Sequence, residues 1–301
     1  MTQHTATIGN PMLALVSGMA QTPSAAAAMG RLPHLPACDL LLFGPAASHR
    51  SSLALHFALH HAACTRLPAL FLCRQEGLEQ AVPLLPHMWD EDDPALHLLH
   101  FKYISSHLDL QRFAACLHLL RGAHAAIVVE DLSAVVRTDD RSSLVRTLAL
   151  LLEGVQAYRS SRGCCCPLMV TDSSEEPRRP RYIYDRWFPL TLALTPAASP
   201  PAPSGCFCLA VAAPPSSSSL LQPSRAAAGG PDAADAPPAP PSPLPAAPRV
   251  GPCCVYRAAG SHLVLEAVVE LPAGQQPQPQ PQQPLVYDNR QEGLLAAGRY
   301  R

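Results

Sequence analysis

Between Asp39 and Leu194 short apolar runs alternate with helical patterns, and this alternation limits the fold more than any other feature of the chain. The runs are Asp39 to Phe43, Ala69 to Cys73 (ALFLC), Leu96 to Tyr103 (LHLLHFKY), Ala125 to Asp131 (AAIVVED) and Pro167 to Thr171 (PLMVT), all of strand length. Between them lie Ser51 to Cys64, with Leu53, Phe57 and Ala58 apolar, and a segment capped by Ser106 or Asp109 that runs to Leu120. A third helical pattern covers Leu144 to Tyr158, with Leu148, Leu151, Leu152 and Val155 inward. Such alternation predicts an α/β fold: a mostly parallel sheet flanked by helices. Ligands of such sheets bind outside the carboxyl ends of the strands, where Gly44 to Ser51, Glu76, Glu130, Asp131 and Asp172 all fall.

Proline sets the limits of the folded part. Most of the 34 prolines in 301 residues follow Thr195, in runs such as DAPPAPPSPLPAAP and QQPQPQPQQP that offer almost no core-forming side chains. Three later pieces still read as strands: Pro189 to Leu194, Cys206 to Val211, and a hairpin of Cys253 to Arg257 with His262 to Val269 across AAGS. The expected organisation is a disordered leader (1–37), a core domain (38–212), a disordered Pro/Ala/Ser-rich linker (213–249), an antiparallel hairpin of the core (250–270) and a disordered Pro/Gln-rich tail (271–301). No run is apolar over the roughly 20 residues a membrane helix needs, so no membrane partner is expected.

The stretch LLLFGPAASHRSSLALHFAL places a small-residue turn between a strand and a helix, in the layout of a phosphate loop written G-x-x-x-x-G-K-[ST]. Gly44 fills the first position, and Pro45, Ala46, Ala47 and Ser48 the variable ones. His49 then replaces the second glycine, Arg50 the lysine, and Ser51 keeps the hydroxyl. Lys102, the chain's single lysine, lies elsewhere. An apolar strand ending in Glu130 and Asp131 supplies the acids that, in nucleotide-binding proteins, hold magnesium or its water. With Ser51 they form the candidate magnesium set if a nucleotide binds, and Glu76 is the candidate to orient water.

The 22 basic and 23 acidic residues give no net electrostatic preference for a polyanion, so local distribution decides. EEPRRPRYIYDRWF, from Glu175 to Phe188, interleaves Arg178, Arg179, Arg181 and Arg186 with Tyr182, Tyr184 and Trp187. Cations that track a backbone and rings that stack on bases suit single-stranded nucleic acid, and the same composition suits a protein interface. The eleven cysteines form no C-x-x-C pair and read as reduced, intracellular, mostly buried thiols. His56 and His60, one helical turn apart, read as a packed or solvated face, and no zinc site is expected.

Taken in order, LLLFGPAASHRSSLALHFALHHAA, PALFLCRQ, LHFKY, DLQRFAACLHLL, AIVVEDL, LLLEGVQAYRSSRG, PLMVTDSSEE and RWFPLTLAL resemble the SWIM-domain-associated recombinase paralogues, a divergent branch of the RecA family of recombination ATPases. The resemblance covers about Asp39 to Leu194 and extends to the late hairpin. It implies a RecA-like P-loop fold and a nuclear accessory factor of homologous recombination DNA repair. That factor would bind single-stranded DNA, pair with a SWIM zinc-finger protein, and support the filament of the recombinase and its paralogues. The family's DNA-contacting loop would correspond to Ser173 to Tyr184, making Arg178, Arg179, Arg181, Tyr182, Arg186 and Trp187 the candidate DNA residues. ATP and magnesium enter through the same resemblance, but Arg50 and His49 depart from its pattern. An arginine fork does not replace a lysine ammonium, and a side chain at the glycine position obstructs phosphate, so ATP hydrolysis is expected to be weak or absent. Two alternatives stay open: a working ATPase of the RecA family, and a non-catalytic scaffold of an Elongator-like assembly.

Overall fold

The computed structural model describes residues 10–33, 35, 39–90, 92–137, 139–174, 179–197, 205–212 and 252–270. Six strands run parallel: β1 (Leu40–Gly44), β2 (Ala69–Cys73), β3 (Leu99–Tyr103), β4 (Ile127–Val129), β5 (Leu168–Ser173) and β6 (Leu190–Pro196). Three more, β7 (Cys206–Val211), β8 (Pro252–Ala259) and β9 (His262–Glu270), continue the sheet antiparallel. The order is β3-β2-β4-β5-β1-β6-β7-β8-β9. The expected α/β class, mostly parallel with a C-terminal antiparallel hairpin, is the one observed. The expected linker and tail lie outside the described residues.

The helices are α1 (Pro11–Val16), α2 (Pro23–Met29), α3 (Arg50–Thr65), α4 (Gln75–Gln80), α5 (His107–Ala115), α6 (Leu132–Val135), α7 (Arg141–Arg162) and α8 (Arg181–Asp185). Alternate strand residues face opposite layers, as a pleated strand requires. Leu41, Leu70, Leu72, Ile127, Val129, Leu168 and Val170 meet Leu110 and Ala114 of α5 and Leu148, Leu151 and Val155 of α7. Leu40, Leu42, Phe71, Val128, Met169 and Leu192 meet Leu53, Phe57 and Ala58 of α3. α7 starts at Asp140, whose side chain accepts from the Ser143 N–H, and stops at Gly163 in the left-handed region. Gly154 lets α5 approach α7: a Cβ there would lie 2.1 Å from the Ala114 carbonyl oxygen.

Part of the expected disordered leader is folded. Residues 10–33 form α1 and α2, with Met12, Leu15, Val16 and Met19 fully buried. Asn10 caps α1 and donates to the Pro33 carbonyl, while the Met19 carbonyl accepts from the Leu265 N–H of β9 at 2.9 Å. The physical reason is α3, whose buried residues include Leu53, Ala54, Leu55, His56, Phe57 and His60, most of its circumference. One sheet covers one face of a helix, so α3 needs a second cover, and α1 supplies it. The loop between α4 and β3 also contributes: Trp89 is buried, and Leu85 bridges to His262.

The histidine face is packed, through a directional chain. The Trp89 indole, which can only donate, lies 2.8 Å from His56 Nδ1, so that nitrogen accepts and the ring is neutral with its proton on Nε2. His56 Nε2 then donates to the Ser17 hydroxyl at 3.3 Å, which in turn donates to the Ala14 carbonyl at 3.3 Å and lies 2.9 Å from His60 Nδ1. Burial lowers His56 to a pKa of about 3, His60 to about 4 and His61 to about 3.

These depressed values have a sign. Between the ordinary histidine pKa of about 6.5 and about 4, the unfolded chain binds protons that the folded chain refuses, so stability falls with pH. Thermal melts are expected to show Tm dropping from pH 6.5 to pH 4.5, with a shallower slope in His60→Gln. Equal slopes in the two proteins would remove His60 as a cause.

Candidate functional site

The turn after β1 is fixed from several sides. Gly44 is required by packing: a Cβ there would sit 2.5 Å from Cβ of Leu194 on β6. Pro45 stays extended, Ala46 to Ser48 form one turn of 3-10 helix with Ala46 and Ala47 exposed, and buried Ser48 donates its hydroxyl to the Pro45 carbonyl at 2.6 Å. The fully buried Tyr256 of β8 donates to the Ser48 carbonyl at 2.6 Å. His49 takes the left-handed conformation (φ 55°) at the start of α3, an uncommon place for a side chain, and its ring lies edge-on to Phe207.

Arg50 points inward. Its Nη1 donates to the Gly44 carbonyl at 2.5 Å and to the Asp172 carbonyl at 2.9 Å, and its Nη2 lies 3.5 Å from Oδ1 of Asp131. The residue is buried, and its Nε has no hydrogen-bond partner among the described residues. Beside it Ser51 donates to Oε1 of Glu130 at 2.5 Å. Burial pushes the Glu130 carboxyl above its usual range, against the pull of the Ser51 hydroxyl. Asp131 also sits in the left-handed region, held by its N–H to the Thr171 hydroxyl and by its carboxylate accepting from Ser133. Ser51, Glu130, Asp131 and Arg50 are thus brought together as the spacing suggested. Glu76 is not among their contacts: it is exposed in the first turn of α4 and pairs with Arg74 at 2.5 Å.

The Arg and aromatic segment divides in two. Arg179 was expected on DNA and is instead buried. Its Nη1 meets Oδ2 of Asp172 at 3.0 Å and the Tyr184 hydroxyl at 3.1 Å, and its Nη2 donates to the Val136 and Leu132 carbonyls. Asp172, which the sequence places at a strand's carboxyl end without a role of its own, is fully buried and accepts from Tyr184 as well. Burial pushes its carboxyl upward, while Arg179 and the Tyr184 hydroxyl pull it down. A buried carboxylate needs a cation, and Arg179 supplies it. The outward set is Arg181, paired with Asp185 at 3.3 Å, the exposed Tyr182 and Arg186, and the half-buried Trp187, with the Arg186 guanidinium 5.3 Å from its ring centre. Arg178 lies outside the described residues.

The residues around Arg50 do not fit a nucleotide. A triphosphate needs inward donors and a free cation, whereas this position is lined by two carbonyl oxygens and the Asp131 carboxylate, with Arg50 already bound to all three. Ser51 and Glu130 satisfy one another. Among the described residues no group of three or more His, Cys, Asp or Glu side chains is arranged to hold a metal ion.

No family model matches the chain, and no curated protein does. Among solved structures it is similar to a crystal structure of the RadB recombinase, at 17% identity, a TM-score of 0.43, and coverage of 64% of this chain and 87% of that one.

Removing one partner of a buried ion pair strands the other. Arg179→Met is expected to destabilise the fold by about 3–5 kcal/mol in urea denaturation, and Arg186→Glu, at an exposed position, by under about 1 kcal/mol. Equal losses would contradict the division between the buried and outward arginines.

Proposed function

We propose that this chain is a non-hydrolysing accessory subunit of homologous recombination DNA repair in the nucleus. It binds single-stranded DNA and pairs with a SWIM zinc-finger protein to support the recombinase filament. The partner and the pathway rest on the sequence resemblance. The observation that carries the DNA reading is the exposure of Tyr182 and Arg186, with the half-buried Trp187 under the Arg186 guanidinium, on a segment whose inner side is pinned by Arg179 to the carboxyl end of β5. A pinned segment presents its rings and cations at little ordering cost, which is what a stacking platform for bases requires.

ATP hydrolysis is weak or absent in this reading, because the phosphate-loop arginine is committed to protein oxygens. The alternative of a magnesium-dependent NTPase draws on the adjacency of Ser51 and Glu130, the residues such an enzyme would use, and needs their mutual hydrogen bond to open for the metal. That alternative requires magnesium-dependent nucleotide binding, lost in Arg50→Ala.

Fluorescence anisotropy of the full chain with labelled oligothymidylate tests the interface. Trp187→Ala is expected to weaken binding by about 1–3 kcal/mol, the range for losing one stacked base. Arg186→Glu should weaken it most at low salt and flatten the salt dependence. Unchanged affinity in both variants, with wild-type protein bound, would move the DNA site elsewhere. Co-purification of a SWIM zinc-finger protein with the tagged chain tests the partner, and recovery of an Elongator-type assembly instead would overturn the recombination role.

A further inference from the structure

The position that a phosphate loop reserves for a ligand is filled here by the chain itself. Its walls are oxygens from three strand ends: the Gly44 carbonyl of β1, the Asp172 carbonyl of β5, and the carboxylate of Asp131 after β4. Such a lining selects a cation, and a planar guanidinium with fixed N–H directions meets all three at once. Asp172 is contacted from two sides, its carbonyl by Arg50 and its carboxylate by Arg179 and Tyr184. The contacts therefore form one line, Asp131 to Arg50 to Asp172 to Arg179 and Tyr184, ending in the segment that carries Tyr182, Arg186 and Trp187.

We infer that Arg50 is a permanent internal ligand of this site, and that it holds residues 179–188 in place through Asp172, so that the segment is ordered without any nucleotide. In this role Arg50 is a positioning residue. It supplies from within the charge that an exchangeable ligand would bring, and the site has no empty state to switch from. The consequence for binding rests on the DNA reading above: affinity for single-stranded DNA does not depend on ATP.

Hydrogen exchange of the full chain, read by mass spectrometry, tests the coupling. Arg50→Ala is expected to speed exchange about tenfold or more in residues 44–51 and 179–188 while leaving β7 to β9 unchanged. Millimolar methylguanidinium, which restores the missing fork, should return both segments to wild-type protection. A lost structural side chain with no ligand-like role would not be rescued. Asp131→Asn, at a partly exposed position, gives the same pattern more weakly and serves if Arg50→Ala does not fold. Unchanged exchange at 179–188 in the folded variants, or the absence of rescue, overturns the inference. Affinity for oligothymidylate is expected to stay within about twofold on adding magnesium and ATP, and a rise of about tenfold also overturns it. The two readings fail separately. Coupled exchange in a protein that does not bind DNA removes the DNA function and keeps the internal ligand, while nucleotide-independent DNA binding without coupled exchange does the reverse.

Discussion

A fully buried carboxylate, Asp172, holds together the carboxyl end of the sheet, where the candidate site lies. An isolated charge at that depth would be too costly to keep, so the surrounding chain is arranged to satisfy it. Arg179 and Tyr184 reach its oxygens from the following segment, and the Ser173 N–H donates to Oδ1. Arg179 in turn needs acceptors for its remaining donors and finds the Leu132 and Val136 carbonyls at either end of α6. The segment after β5 is thereby bound to the element after β4. Such a network is weak evidence for added stability, because desolvation offsets most of the attraction. Its effect is on geometry, since a guanidinium satisfied by directed acceptors has few other places to be.

The opposite ends of the same strands are held by a second arginine. Arg159 of α7 forks onto both oxygens of Asp39 and donates to the Cys166 carbonyl, and Asp39 also accepts from the Leu168 N–H. β1 and β5 are therefore clamped at both ends by arginine, with an apolar sandwich between. The clamps differ in what they leave outside. At the Arg159 end the helix and the strands simply close. At the Arg179 end the closure carries an exposed tyrosine, an exposed arginine and a half-buried tryptophan, which is why the candidate interface lies there.

The antiparallel extension reaches back into the same region. Tyr256, more than two hundred positions along the chain from Ser48, donates to the Ser48 carbonyl and packs against Phe207, whose other neighbour is the His49 ring. The turn after β1 is thus closed by the last hairpin of the sheet. On the far side of α3, the N-terminal helices and Trp89 complete its cover through a chain of neutral histidines. Neither contact is local, and both bury polar groups whose partners come from distant parts of the chain.

The sequence alone determined the class of fold and the identity of most strands, because those depend on local periodicity and on where prolines and glycines stand. It also brought Arg50, Ser51, Glu130 and Asp131 to one end of the sheet, since parallel strands joined by helices leave no other arrangement. What it could not determine was direction. Arg50 and Arg179 read from the sequence as cations available to a ligand or to DNA, and tertiary structure turned both inward, because buried carbonyls and Asp172 needed donors that only long-range packing could supply. The N-terminal stretch read as disordered for a related reason: its alanines, methionines and leucines gain their burial from α3 and β9, which lie far away in the chain. Local pattern fixes which elements form, and the pairing of buried polar groups across the assembled sheet decides which charges remain at the surface.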